Sequence, residues 1–578
     1  MRRAVTTDDG ISLAVWEKGD PSRPTVVLVH GYPDDHTVWD GVVAELIDRY
    51  RVVTYDVRGA GESGKPRERS AYLLDRLVAD LVAVLDAVSP DRPVHLLAHD
   101  WGSIQSWQAV TEEQLRSRIA SFTSISGPCL DHAGRWMRAK WRRPTPRNLR
   151  EVLTQLAFSG YIGFFQLPVL PELAWRTGAM NRLLSKVERL DPAAKGNPTR
   201  PKVSNGVRGL ELYRANMMNR LGRPGVRRTS VPVQVLAPTG DPFVSPPLQA
   251  AAQQWTGDLR IRRLPGGHWL PRTRPEVVAR CAAELVEHVE TGVEARGLRV
   301  AHVGTDRFDR SLVVITGAGS GIGRATALEL AGRGAEIIAA DLDGEAAART
   351  AELAGRLGPT ATSYQVDVSD QDAMERFAAD VRDRLGVPDV VINNAGIGMA
   401  GAFADTTPAD WERVIDVNLW GVIHGCRLFA AQMAERGEGG RIVNLASAAA
   451  YLPSRTLPAY STTKAAVLAL SQCLRAELAP AGIGVVAVCP GLVNTKITST
   501  TRFVGVGEEE QNRRRRAATS LYVRWAFTPE RAARELVRAL ERNTAVAPVT
   551  PEAKAALVLS RLTPGLLRAA ARVDTTPR

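Results

Sequence analysis

The sequence predicts an α/β protein of two units, each organised around a mostly parallel sheet. Three observations predict it. Short strand-like runs alternate with helical stretches through most of the chain. The run Val94 to Ala98 enters a small-x-Asp-x-small turn, Ala98-His-Asp-Trp-Gly102, and a helix from Ile104 onward. A second run, 311–316, enters the glycine-rich loop Gly317-Ala-Gly-Ser-Gly-Ile-Gly323 and a helix over 325–333. At 578 residues the chain is too long for one ordinary domain.

Composition excludes several classes. No run of 18 apolar residues exists, so no transmembrane helix is expected, and the first residues lack the apolar core of a signal peptide. The five cysteines are scattered without metal-ligand spacing, which points to a reducing, cytoplasmic setting and to no metal site. The net charge of +12 is concentrated: residues 128–228 hold 20 Lys and Arg against 6 Asp and Glu. No helix-turn-helix, zinc-finger or RNP pattern supports nucleic acid as the partner. A solvated arginine-rich face, peripheral contact with an anionic membrane, or an acidic carrier each account for the excess.

In the first unit, the strand 26–30 ends in His30-Gly-Tyr-Pro33, a turn able to aim backbone N–H groups at developing charge. The strand 52–56 precedes Asp56-Val-Arg-Gly-Ala-Gly-Glu-Ser63, and Leu73 to Val88 has helical periodicity. At the elbow stands Asp100, where serine is usual. A carboxylate of ordinary pKa, about 3.9, is an anion at neutral pH and attacks an electrophilic carbon without a base. The resulting ester needs a water activated by histidine. The alternative role for Asp100 is a helix cap. Partners follow in order: Asp241 past the strand 231–236, then His268 on the loop Leu264-Pro-Gly-Gly-His-Trp269. Nucleophile, acid, histidine is the order of Ser…Asp…His hydrolases built on this elbow.

Residues 1–296 therefore resemble the epoxide hydrolase branch of the α/β-hydrolase fold, on the motifs at 30–33, 56–63, 99–102 and 267–269. Tyr32 stands where haloalkane dehalogenases carry a halide-binding Asn, and Trp101 does not match the Arg of fluoroacetate dehalogenases. The resemblance implies a helical cap over about 128–228. It also implies two cap tyrosines holding the epoxide oxygen, at Tyr161 in Tyr-Ile-Gly-Phe-Phe-Gln and Tyr213 in Leu-Tyr-Arg-Ala-Asn. Backbone N–H groups of Tyr32 and Trp101 would form the oxyanion site.

In the second unit, Asp341 ends the next strand, 18 residues beyond Gly323. A carboxylate there binds ribose hydroxyls and repels a 2′-phosphate, so NAD is favoured, with NADP left open. The Thr-Gly-x-x-x-Gly-x-Gly spacing resembles the short-chain dehydrogenase/reductase family, a Rossmann-type doubly wound parallel sheet. That resemblance implies dinucleotide contacts from Gly317, Ser320, Gly321, Ile322, Gly323 and Asp341. It extends them to Asp367, Val368, Asn394, Ala395, Gly396, Pro490, Gly491 and Thr495. It makes Asn418, Ser447, Tyr460 and Lys464 the catalytic set, with Tyr460 and Lys464 also touching the cofactor. A tyrosine of ordinary pKa, about 10, is a poor base at neutral pH, so Lys464 one turn along the helix is expected to lower it.

The expected organisation is a hydrolase domain at 1–296, a linker at 297–310, a dehydrogenase domain at 311–550 and a helical tail at 551–578. Residues 508–516 read as a solvated, mobile loop, and 553–573 as helix. The expected function is bifunctional: epoxide hydrolysis to a diol, and NAD(P)-dependent alcohol/ketone chemistry on a hydrophobic or lipid-like small molecule. The resemblance also implies a homo-oligomer through the Tyr460 helix. The alternatives are a dehydrogenase with the first unit as a lipid-binding or docking module, or as a dehalogenase.

Overall fold

The computed structural model describes residues 1–194, 200–303, 306–452, 454–525, 527–565, 569 and 571. The chain divides into two compact units, 1–304 and 305–578.

The first unit is built on β1 (Arg2–Thr6), β2 (Ser12–Lys18), β3 (Thr25–Val29), β4 (Arg51–Tyr55), β5 (Val94–His99), β6 (Ile119–Ile125), β7 (Val233–Pro238) and β8 (Leu259–Leu264). Their order is β1-β2-β4-β3-β5-β6-β7-β8. The first hairpin is antiparallel to its neighbours and the remaining pairs are parallel. Every residue of β3 and β5 is buried. Helices cover both faces of such strands, which is why they read as unbroken apolar runs. The helix Leu74–Val88 turns Leu77, Leu81, Val84 and Val88 onto one buried stripe. Between β6 and β7 the chain leaves the sheet as a cap of helices running from Leu130 to Gly222, the last of them Val203–Gly222. Residues 195–199 of the expected cap lie outside the described residues.

The boundary differs from the expected linker at 297–310. Residues Arg296–Val300 form a short helix, and Val303 N–H and Ala301 O then bond to Leu259 O and Ile261 N on β8, at 3.1 and 2.8 Å. An edge strand offers a row of open backbone groups, and here the outgoing chain fills part of it. Residues 304 and 305 lie outside the described residues, while Phe308 is already in the core of the second unit.

That unit contains β9 (Leu312–Thr316), β10 (Glu336–Asp341), β11 (Ala361–Gln365), β12 (Val390–Asn393), β13 (Met399–Ala400), β14 (Gly440–Leu445), β15 (Ile483–Cys489), β16 (Arg502–Phe503) and β17 (Val546–Pro548). Seven strands form a parallel sheet, β11-β10-β9-β12-β14-β15-β17, and β13 pairs with β16 apart from it. Strand order reverses between β9 and β12, the crevice where such sheets bind ligands.

Two expectations are corrected. The helix after the glycine loop spans Gly321–Ala331 rather than starting at Ala325, so the loop's own glycines form its first turn. Residues 508–516 are not a mobile loop but the start of the helix Glu508–Trp525, where Glu510 pairs with Arg513 and Arg514 one turn on. The terminal helix is Pro551–Leu562, and much of the stretch beyond it lies outside the described residues. Among the described residues Pro408–Arg436 is long and apolar enough to cross a membrane, but half of its most apolar window is buried inside the unit.

Candidate active sites

The first site gathers at the carboxyl ends of β3, β5, β7 and β8. Asp100 follows β5 with φ 50° and ψ −122°, a strained conformation for a residue with a side chain. The backbone packs closely around it. A Cβ on Gly102 would meet the carbonyl oxygen of Val29 at 2.2 Å, and one on Gly127 the carbonyl oxygen of Asp100 at 2.1 Å. Asp100 N–H donates to Ile125 O and its own carbonyl accepts from Ile104 N–H, both at 2.9 Å.

The Asp100 side chain therefore projects from the turn. Its Oδ1 accepts the backbone N–H of Tyr32 at 2.8 Å, and Trp101 N–H supports the carboxylate as well. Burial pushes its pKa up to about 6, against the lowering pull of His268 and of those two backbone donors.

His268 joins the other two carboxylates. Its Nδ1 lies 3.1 Å from Asp241 Oδ2 and its Nε2 lies 3.7 Å from Asp100 Oδ2. Asp241 is itself fixed, its Oδ1 accepting the N–H groups of Phe243 and Val244 at 2.8 and 3.1 Å. Burial opposes a charge on His268, but Asp241 and Asp100 outweigh it and lift the pKa above its ordinary value. All three members of the expected triad meet here.

The cap tyrosines stand over the same carboxylate. Tyr161 is half-buried and Tyr213 buried, their rings 5.8 Å apart and edge to face, with Tyr213 5.0 Å from the Trp101 ring. Burial first, and the Asp100 charge with it, hold both phenols above their ordinary pKa, so both keep a proton to donate.

The helix Val203–Gly222 is fastened to the sheet domain along one face. Asn205 Oδ1 accepts Gly61 N–H at 3.1 Å, and Tyr32 Oη donates to Gly206 O at 2.9 Å. Asn216 accepts Leu74 N–H and donates to Tyr72 O, at 2.9 and 2.8 Å. Gly209 admits the Tyr32 ring, which a Cβ would approach to 2.2 Å.

Sequence reasoning missed the residues that hold the histidine loop. Asp191 of the cap accepts Gly267 N–H at 2.7 Å and Thr273 Oγ at 3.0 Å. Arg272 bridges Glu188 of the cap, at 2.8 Å, and Asp34 of the oxyanion turn, at 3.3 Å. His99 Nε2 donates to the His268 carbonyl at 2.9 Å. None of these pairs has a sequence spacing that would announce it.

The second site is a cleft of about 1590 Å³ at the crevice beside β9. All the expected dinucleotide contacts border it except Gly323. Gly323 serves packing, since a Cβ there would stand 2.1 Å from Gly317 O. Gly317 and Gly321 have φ of 65° and 54°, conformations that favour glycine. Asp341 Oδ2 accepts Gly319 N–H at 2.7 Å, which places its carboxylate at the glycine loop. Asn394 donates to the carbonyls of Thr316 and Gly317, at 3.0 and 2.9 Å, and holds the loop's first bend.

Ser447, Tyr460 and Lys464 border the cleft together, and Asn418 stands behind it. Asn418 lies in a single π-turn, Asp416–Trp420, where its amide clasps both backbone groups of Ile397 at 2.8 and 3.0 Å. Lys464 Nζ donates to Leu445 O at 2.8 Å and lies 6.0 Å from the Tyr460 ring centre.

The electrostatics differ from expectation. Burial raises the Tyr460 pKa, with only the Ser447 hydroxyl acting to lower it, and burial brings Lys464 down to about 8. Both charged forms lose water in the same pocket, so desolvation outweighs any pull of the ammonium on the phenol. Sequence reasoning also missed the helix Glu508–Trp525, whose Arg514, Ala518, Leu521 and Tyr522 line the cleft.

The site fits a nicotinamide dinucleotide. The glycine loop leaves backbone room at a helix N-terminus for a pyrophosphate, and the Asp341 carboxylate stands where ribose hydroxyls would lie.

Comparison with known families agrees with both folds. The short chain dehydrogenase family matches residues 311–503, and the alpha/beta hydrolase fold family matches 24–275. The chain is 40% identical over 585 aligned residues to the probable oxidoreductase EphD of Mycobacterium tuberculosis, covering 99% of this chain and 98% of that protein. It is 35% identical over 258 residues to the putative oxidoreductase SadH of the same organism, covering 44% of this chain and 91% of that one. A solved short-chain dehydrogenase/reductase from Burkholderia phymatum in complex with NAD is 30% identical, over 46% of this chain and 98% of its own, with TM-score 0.42.

Proposed function

Because this chain belongs to the proteins that join an α/β-hydrolase domain to a short-chain dehydrogenase/reductase domain, we propose that the first site hydrolyses an epoxide and the second oxidises an alcohol with NAD. The observation that carries the first half is Asp100 at the elbow, with His268 on one side and two protonated phenols on the other.

In the ring-opening step an Asp100 oxygen attacks one epoxide carbon and the C–O bond at that carbon breaks. The electron pair goes to the ring oxygen, which takes up a proton delivered through the Tyr161 and Tyr213 hydroxyls. In the second step His268 Nε2 removes a proton from water, and the hydroxide attacks the ester carbonyl. Backbone N–H groups of Tyr32 and Trp101 receive the charge that develops on the carbonyl oxygen. The ester C–O bond then breaks, the departing alkoxide takes the proton from the His268 imidazolium, which Asp241 has stabilised, and a vicinal diol leaves.

In the second site the dinucleotide supplies a hydride acceptor when bound. Ser447 orients the substrate hydroxyl, whose proton passes to Tyr460 once that phenol, held protonated by burial, has given up its own proton to the cleft. Lys464, whose Nζ lies 6.0 Å from the Tyr460 ring centre, would hold the ribose of the dinucleotide. Asn418 fixes the Ile397 turn at the cleft's rear wall.

Intact-protein mass spectrometry of His268→Gln after exposure to a panel of epoxides tests the first half. A covalent adduct mapped to Asp100 supports it, and no adduct in folded protein moves the reading to a binding module. Epoxide fed with NAD tests the pairing: NADH is expected with the wild type and with neither Asp100→Asn nor Tyr460→Phe.

A further inference from the structure

The cap carries a surface that neither active site uses. On Pro146–Phe158, Leu153 and Leu156 lie one turn apart and both are exposed. After the helix Gly160–Gln166, which carries Tyr161, the turn Leu167-Pro168-Val169-Leu170 exposes four apolar residues in succession, and Leu173 follows. Val169 is 70% exposed and has φ 66°. A β-branched residue at positive φ is strained, and strain kept at a defined place marks a functional constraint.

The turn is held in shape. Arg214 donates to the carbonyls of Phe165 and Leu167 and pairs with Glu172 and Glu211. The segments on either side, Pro146–Gln166 and Leu170–Arg176, meet at 94° and together are as apolar as a broken membrane segment.

The stretch of sequence that contains this apolar turn is basic. Between residues 142 and 189 there are eight Arg and Lys and three Glu. Each Glu is already committed: Glu151 to Lys140 and Arg147, Glu172 to Arg214, and Glu188 to Arg272. The exposed Arg142, Arg143, Arg150, Arg176 and Arg189 therefore give this part of the cap a net positive surface charge.

We infer that this face seats the protein on an anionic lipid surface. The Leu167–Leu173 turn enters the boundary between headgroups and acyl chains, and the arginines engage lipid phosphates. An apolar wedge on a positively charged part of the cap calls for a partner that is anionic at its surface and apolar a few ångströms below. A bilayer of acidic phospholipid has that profile. The inference stands independently of the epoxide reading.

The test is flotation of the full chain with vesicles of phosphatidylglycerol and phosphatidylcholine, and with phosphatidylcholine alone. Binding to the anionic vesicles, weakened by added salt, is expected. Val169→Asp with Leu173→Asp should lower the partition coefficient by about tenfold or more, and Arg142→Glu with Arg143→Glu and Arg150→Glu by a similar factor. Circular dichroism and melting of each variant, compared with wild type, separate lost docking from lost folding. Absence of binding by the wild type overturns the inference, as does binding that neither set of variants alters. Light scattering covers the other occupant: a dimer that Val169→Asp with Leu173→Asp dissolves would assign the patch to a second copy and overturn the lipid assignment.

Discussion

The Nε2 of His268 stands 3.7 Å from Oδ2 of Asp100, beyond hydrogen-bond reach. The base therefore does not tie up the nucleophile, and the ionisation of each governs a different step. Ring opening needs Asp100 ionised, so the rate of ester formation should rise with pH through about 6. Hydrolysis needs neutral His268, whose pKa is lifted above its ordinary value, so turnover should keep rising at higher pH. Single-turnover and steady-state rates measured against pH check this, and coincident profiles would contradict it.

The same carboxyl should destabilise the fold at neutral pH. Its pKa is raised from 3.8 to about 6, so the folded state holds the proton more tightly than the unfolded chain does. Stability from this group is therefore greatest below pH 3.8, falls across the interval, and is level above pH 6. That difference corresponds to about 3 kcal/mol. Asp100→Asn should raise the unfolding free energy by up to about 3 kcal/mol at pH 8, with the gain fading in acid. Urea unfolding of both proteins at pH values above and below the interval measures it.

Either cap tyrosine alone should leave partial activity. Tyr161→Phe and Tyr213→Phe each remove one donor to the developing alkoxide, a loss on the order of a hundredfold in ring opening. The double variant should still bind epoxide. Stopped-flow quenching of the nearby Trp101 on substrate addition separates binding from chemistry.

Much of this was legible in the sequence because each motif is local. Asp100 is announced by its own flanking residues, and Tyr460 with Lys464 by a one-turn spacing. What stayed hidden is long-range. Asp191 meets Gly267, and Arg272 meets both Glu188 and Asp34, through pairs that only the fold creates. The helix Glu508–Trp525 was obscured because its arginines look like a solvated loop until the i,i+4 pairing is seen. The Tyr460 shift ran opposite to expectation because burial cannot be read from the Tyr-x-x-x-Lys spacing.

Asp341 should decide between the two dinucleotides. Its carboxylate, bonded to Gly319 N–H, would meet a 2′-phosphate as a like charge. The wild type should favour NAD over NADP in kcat/KM by about a hundredfold or more, and Asp341→Ala should narrow that ratio mainly through the KM for NADP. Equal use of both by the wild type would refute the assignment.

Asp191 is a positioning residue, and its effect should fall on one step. Asp191→Ala frees Gly267 N–H and loosens the loop that carries His268, so ester hydrolysis should slow by about tenfold or more while ring opening persists. The ester should then accumulate during turnover. Asp191→Asn, which keeps an acceptor oxygen, should restore most of the rate.

The clamped face of the helix Val203–Gly222 bears on how this enzyme diversifies. The wall that carries Tyr213 is bolted by Asn205 to Gly61, by Asn216 to Tyr72 and Leu74, and by Gly206 and Gly209 to Tyr32 beside the nucleophile. A substitution there disturbs the oxyanion turn before it changes the fit of a substrate. The opposite wall, from Pro146 to Arg176, is tied at two separate points, Gln155 to Phe243 O and Ser245 N–H and Trp175 Nε1 to the Tyr32 hydroxyl, and carries Tyr161 between them on a short helix. Descendants of this chain that acquire new substrates should therefore record the change in that wall, while the Tyr213 wall drifts little.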